Sequence, residues 1–288
     1  MSVTSLSRRL VNGDIQYVIG RFQIVRSAYG GFRRLTDNYK AAESGARAER
    51  DRSSSLFREA DVDRACDGLK TEAVYVGLNI PASLTTEILA FAQSEPLHAI
   101  YDRYGPTFRY LDVVDGTAPD GRRIPVGGVP DPIRCPAVRR IVEDPILREI
   151  VRKHLGHDPK KFVTILDWTF ASSMSDDDRR RMKHGVIDYH YDVGGLNFVY
   201  ASFYITDTDR YSGAHVMMRR SHRGKPLRML WGSARASEKD VRKEFGIENE
   251  LVIEGPAGTG FIQDTSCFHR ASPPKTSDRL MLAIRFIN

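Results

Sequence analysis

The chain has 288 residues, 41% of them hydrophobic and 28% charged, which suits a globular protein with a large core and excludes wholesale disorder. Its net charge of +6 is concentrated early: residues 1 to 60 hold eleven Arg or Lys against six acids, and the remainder is nearly balanced. Three scattered cysteines, Cys66, Cys135 and Cys267, lack any CxxC spacing, which argues against a disulfide framework or a zinc knuckle and for reduced, buried thiols.

From the N-terminus, "MSVTSLSRRLVNGD" lacks the pattern of a signal peptide, and no apolar run approaches the length of a membrane span. The expected location is the cytoplasm. Residues 14–35 place Ile15, Val18, Ile19, Phe22 and Val25 at helical spacing among arginines. Such a basic helix packs on its own domain or a partner copy, with peripheral membrane attachment as the other reading. Residues 41–60 are small and polar and read as a linker or a loosely held helix, so the expected division is a basic N-terminal extension over 1–60 and one main domain over 61–288.

"AVYVGLNIP" predicts a short strand, and Pro81 with Ser83 opens a helix over "SLTTEILAFAQ". Residues 101–132 are rich in Gly, Pro and aromatics and predict an irregular excursion with one or two short strands. Asp144, Pro145 and Gly156 bound a helix over about 145–155. After it the period changes. "KFVTILDWTF", "VIDYHYDV", "NFVYASFYIT", "GAHVMMRR", "ELVIEG", "GTGFIQDT" and "RLMLAIRFI" predict short strands of an antiparallel sandwich or barrel. One helix interrupts them, with Ser237 and Asp240 as a capping box and Gly246 as its end. The charged stretch "MSDDDRRRMKHG" reads as a mobile loop bordering the site. "GPAGTG" lacks the Lys-Ser/Thr of a phosphate loop and reads as a turn. No helix-turn-helix, zinc module or stacking platform accompanies the N-terminal arginines, so nucleic acid is not an expected partner.

One spacing carries chemistry. On a strand, residues two apart share a face, so His190 and Asp192 project side by side with roughly 6 to 7 Å between their Cα atoms. A surface polar pair is the bland reading of such a motif. A third candidate, His269, lies 79 positions on, at the end of a later predicted strand, and Arg279 follows ten residues after it. Two histidines and one carboxylate make the facial triad used by non-haem Fe(II) oxygenases, and an arginine offers a fork for a carboxylate co-substrate. Arg285 shares the strand face of Arg279 and is the rival fork, whereas His184 and His222 read as structural.

The order His190-x-Asp192, His269, Arg279 within a strand-rich C-terminal half resembles the Fe(II)/2-oxoglutarate-dependent dioxygenases. Among them it looks most like the phytanoyl-CoA dioxygenase family, through the layout of "YHYDVGGLNFVYASFYITDTDRYSGAHVMMRRSHRG" and "GPAGTGFIQDTSCFHRASPPKTSDR". The resemblance covers residues 160 to 288. It implies a mainly β fold with flanking helices, a double-stranded β-helix (jelly roll, cupin-like) core carrying an N-terminal helical elaboration. It implies His190, Asp192 and His269 as iron ligands, Arg279 on the distal carboxylate of 2-oxoglutarate, and O2 as co-substrate. It further implies hydroxylation of a small molecule, a polar, glycan or acyl-conjugate metabolite, with release of succinate and CO2. The intact Asp192 speaks against halogenation, which in related enzymes replaces this carboxylate by a small residue. A cupin-like sugar-binding module without activity and a zinc hydrolase on the same ligands are the competing readings.

Overall fold

The structure, a computed structural model, describes residues 18–37, 53–102, 104–182, 184–231 and 233–287. Ten strands form two antiparallel sheets among these residues. The larger has the order β1-β8-β5-β10-β4-β3-β2, and the smaller β7-β6-β9. The strands are β1 (Val74–Val76), β2 (His98–Ala99), β3 (Val126–Gly128), β4 (Lys161–Thr169), β5 (Phe198–Tyr204), β6 (His215–Met218), β7 (Glu250–Ile253), β8 (Gly260–Gln263), β9 (His269–Ala271) and β10 (Arg279–Ile287).

Strand periodicity divides the large sheet into two chemistries. On β10, Leu280, Leu282, Ile284 and Phe286 are fully buried on the outer face, together with Leu166 and Trp168 of β4 and Val199, Ala201 and Phe203 of β5. Four helices cover them, α2 to α5 (Val62–Thr71, Ala82–Ser94, Pro136–Val142 and Pro145–Leu155), and the N-terminal helix α1 is Gln23–Asp37. Leu147, Ile150 and Val151 of α5 pack in that same cluster, and burial of each such side chain contributes roughly 2 kcal/mol. The α5 boundaries follow their sequence signals. Asp144 accepts from the backbone N–H groups of Ile146 and Leu147, Pro145 opens the first turn, and Gly156 closes it at φ 81°. Asp144 also accepts from Ser55 Oγ (2.9 Å) and Leu56 N (2.7 Å), so residues 53–60 are docked rather than linker-like, with Phe57 in the core. The rest of the expected linker, like Ile15, lies outside the described residues.

The N-terminal helix packs on its own chain. Arg26 pairs with Asp264 at 3.2 Å with both side chains 9% exposed, and Arg21 donates to Leu230 O (3.0 Å). The charged loop expected after β4 is instead ordered around α6 (Asp176–Arg181). Ser175 caps α6, its first turn is acidic and its last basic. Arg179 is fully buried because Nη2 donates to Ser172 Oγ (2.7 Å) and, less closely, to the carbonyls of Phe170 and Pro274 (both 3.4 Å). Helices α7 (Leu227–Trp231) and α8 (Glu238–Phe245) back the small sheet, where Met229 and Val241 pack with Val216, Met218 and Phe268. Cys135 and Cys267 are buried and Cys66 is half-buried, and no disulfide joins any two of them. No described helix is long and apolar enough to cross a membrane.

Candidate metal centre between the sheets

The inner faces of the two sheets carry polar side chains. From the register, Arg279, Met281, Ala283 and Arg285 share one side of β10. Thr169 and Asp167 of β4 lie opposite Arg279 and Met281, and Tyr204, Ser202 and Tyr200 of β5 lie opposite Met281, Ala283 and Arg285. A sandwich stabilised only by its core would place apolar residues here.

The expected strand over 186–193 is not a regular one: it begins in a 3-10 turn, Gly185–Ile187. Residues 189–192 run along β9 and make isolated bridges, His190 to His269 and His190 to Arg235. His190 N donates to His269 O (3.0 Å) and His269 N donates back to His190 O (2.8 Å), a reciprocal cross-strand pair that sets the two imidazoles side by side, ring centroids 4.4 Å apart. Asp192, two residues on, is fixed by its own N–H to Thr265 O (2.8 Å). One donor atom each of His190, Asp192 and His269 falls within 4.8 Å of the others, and no other such group of His, Cys, Asp and Glu exists among the described residues. Tyr189 and Tyr191 point to the opposite side, buried against the backing helices.

Both imidazoles are oriented by the main chain. His190 Nδ1 lies 2.9 Å from Asp188 O, and His269 Nδ1 lies 3.0 Å from Cys267 O, each carbonyl two residues upstream. A carbonyl oxygen only accepts, so each Nδ1 carries a hydrogen, and the Nε2 atoms are the ones left to face a metal. Burial, with the neighbouring His269, pushes the His190 imidazolium down to about 4, so the ring is neutral at physiological pH. The Tyr200 hydroxyl hydrogen-bonds the Asp192 carboxylate, and burial pushes that hydroxyl's own pKa up. Two imidazole nitrogens, an oxygen donor and supporting hydrogen bonds suit a divalent transition metal.

Arg279 is 5% exposed at the start of β10. It donates Nη1 to Gly213 O and Nη2 to Thr169 Oγ1 (3.1 Å), and its charge is felt by Asp167, His184 and His215. Arg285 sits six residues along, its guanidinium over the rings of Phe198 (5.6 Å) and Tyr200 (5.8 Å). His222 lies apart, facing Lys70 O at 3.1 Å. His184 is buried beside Tyr101, with rings 6.3 Å apart, and burial followed by the charge of Arg179 pushes its pKa down to about 4.

Several residues at the site were not singled out by the sequence. His215 stacks on His269 at 5.5 Å and is kept neutral by burial. Asp167 and Arg235 reach the site only through strand register and the His190 bridge. An inward position in "KFVTILDWTF" was readable for Asp167 from period-2 alternation; nothing marked Arg235.

No protein-family model matches this chain, and no curated protein does. Among solved structures it is similar to AviO1 from Streptomyces viridochromogenes Tue57, at TM-score 0.50 and 13% identity over 79% of this chain and 95% of that one. It is also similar to the non-heme monooxygenase ThoJ as a nickel complex (TM-score 0.49, 18% identity, 79% and 77% covered). A third similarity is to HygX from Streptomyces hygroscopicus with nickel and 2-oxoglutarate bound (0.49, 14%, 79% and 87%). The AviO1 likeness and the two opposed antiparallel sheets together show the fold: a double-stranded β-helix core with flanking helices.

Proposed function

We propose that this protein is a non-haem Fe(II)- and 2-oxoglutarate-dependent oxygenase acting on a small molecule. The observation that carries the reading is the convergence of His190, Asp192 and His269, with both imidazoles aimed by Nδ1–H bonds to upstream carbonyls. These three residues would hold the metal on one face and leave three positions for co-substrate and O2. Bound Fe(II) supplies O2 activation coupled to oxidative decarboxylation of 2-oxoglutarate, with one oxygen atom entering succinate and the other the hydroxylated product.

The chain's own groups supply the rest. Arg279, buried on the same inner face, would pair with the distal carboxylate of 2-oxoglutarate while its bonds to Gly213 O and Thr169 Oγ1 hold the guanidinium in place. Tyr200 keeps Asp192 oriented, and His215 backs His269 without competing as a cation. The finer kinship with phytanoyl-CoA dioxygenase-like members rests on the order of the His190-x-Asp192, His269 and Arg279 motif. In this reading residues 61–288 make the oxygenase domain and 1–60 its basic extension.

Anaerobic addition of Fe(II) and then 2-oxoglutarate tests it. A metal-to-ligand charge-transfer band is expected, lost in Asp192→Ala and kept in His222→Ala. A sugar-binding module would give no band, and a zinc hydrolase would turn over without 2-oxoglutarate. Full turnover by Asp192→Ala would end the facial-triad reading.

A further inference from the structure

His215 faces inward from β6, the middle strand of the small sheet. Across the β6–β9 pair Met217 lies opposite His269 and His215 opposite Ala271, so the two histidines share a face as diagonal neighbours. Their rings stack with centroids 5.5 Å apart, and Phe261 of β8, in the large sheet, lies 5.4 Å from the same imidazole. The His215 side chain therefore fills the space between the sheets right beside a candidate metal ligand. Its backbone is held there as well: His215 N donates to the Tyr204 hydroxyl (2.8 Å), which in turn donates to Ile253 O (2.8 Å).

On the other side stands Arg279. Its Nη1 donates to Gly213 O, two residues before His215, and a β-carbon at Gly213 would lie 3.5 Å from Arg279 Cδ. The segment from Gly213 to His215 thus runs from the guanidinium to the metal ligand His269, alongside the span that 2-oxoglutarate would occupy in the reading above. His215 is 6% exposed, and its Nε2 is buried with no hydrogen-bond partner among the described residues. Gln263, on the inner face of β8 two residues from Phe261, does not satisfy it, since Gln263 Oε1 is buried and unpartnered too. Arg279 Nε is a third such atom. A buried ring nitrogen left without a partner is uncommon and costs free energy, whereas an apolar side chain would fill the same place between Phe261 and His269 without that cost.

We propose that His215 is a co-substrate-binding residue, its Nε2–H donating to the distal carboxylate of 2-oxoglutarate beside Arg279. The proposal rests on the oxygenase reading for the identity of the co-substrate and adds to it a second donor on that carboxylate. A carboxylate only accepts, so His215 takes the Nε2–H tautomer, opposite to that of His190 and His269, whose Nδ1 atoms carry a hydrogen. The tautomer separates the roles: an Nε2 that carries a hydrogen offers no lone pair to the metal.

The test is anaerobic titration of the full chain loaded with Fe(II), read by calorimetry and by the charge-transfer band. The ligands are 2-oxoglutarate and 2-oxopentanoate, which keeps the oxo acid and the chain length but lacks the distal carboxylate. His215→Phe retains a ring against His269 and Phe261 and removes the nitrogen, and His215→Gln returns an N–H donor near the place of Nε2. The Phe variant is expected to bind 2-oxoglutarate about tenfold more weakly than the parent, with 2-oxopentanoate binding and iron stoichiometry unchanged. The Gln variant should recover most of the lost affinity. Should the Phe variant fail to hold iron, His215→Leu replaces it in the comparison. Parental affinity for 2-oxoglutarate in the nitrogen-free variant overturns the proposal, and so does equal weakening of both acids or a Gln variant no better than Phe. The reading beneath it is judged on the parent alone: a parent that gives neither heat nor band with 2-oxoglutarate ends both, while a parent that gives them with any of those variant results ends only the role of His215.

Discussion

The two faces of the large sheet are built from alternate residues of the same strands, yet they do opposite work. Outward, Leu280, Leu282, Ile284 and Phe286 meet a helical layer and are fully buried in one apolar cluster. Inward, the neighbours of those residues are Arg279 and Arg285, with Asp167, Thr169, Ser202 and Tyr200 beside them on adjacent strands. The outer face carries the stability that lets the inner face hold polar and charged groups at a net cost to folding. A strand of period 2 can therefore be changed on one side with little effect on the other.

Substitutions can break that separation. The largest effect is expected for Asp192→Ala: loss of 2-oxoglutarate turnover by more than about a hundredfold, with a thermal midpoint equal to or above that of the parent, read by succinate release and calorimetry. On the other face, Leu282→Ala should lower unfolding free energy by about 4 kcal/mol in denaturant titration while retaining metal binding. A single protein in which both properties fell together would mean that the faces are not independent.

Arg26→Ala should destabilise by about 3 kcal/mol, because it leaves Asp264 buried without its nearest cation. Burial alone would raise the Asp264 pKa, but Arg26 first, then His222 and His154, hold it well below the usual carboxylate range. A depressed folded pKa contributes stability above the unfolded value of about 4, and that stability is lost as pH falls below it. Denaturation midpoints measured between about pH 6 and pH 3 should therefore fall less steeply for Asp264→Asn than for the parent. The smallest effect separates the two arginines: Arg279→Lys should raise the KM for 2-oxoglutarate about tenfold, and Arg285→Lys should leave it nearly unchanged.

Much of the scaffold was legible because local chemistry and tertiary structure agree. The Asp144–Pro145…Gly156 signals bound α5, Ser237 caps α8 by accepting from Asp240 N, and the β-branched runs of β4, β5 and β10 are strands. Elsewhere the signal was weaker than the structure. Residues 189–192 divide their backbone bonds among His269, Ala234 and Thr265, so no continuous ladder forms and alternation alone could not show it. His269 begins a three-residue strand after a turn rather than ending a longer one. The stretch around "DDDRRR" read as a mobile loop, yet Arg179 is buried because oxygens from the 170–172 and 274 segments converge on it.

The same distinction applies within the site. His190, Asp192, His269 and Arg279 could be selected by order and spacing. Asp167, His215 and Arg235 could not, since their positions depend on which strands become neighbours, a relation between distant segments.

The carbonyls that orient the two imidazoles belong to the main chain at Asp188 and Cys267. No side-chain exchange at those two positions deletes an acceptor, so the aim of both rings is insulated from point mutation around them. A library randomising Asp188 and Cys267 would change packing and folding yield while every folded member kept its imidazoles pointed at the same spot.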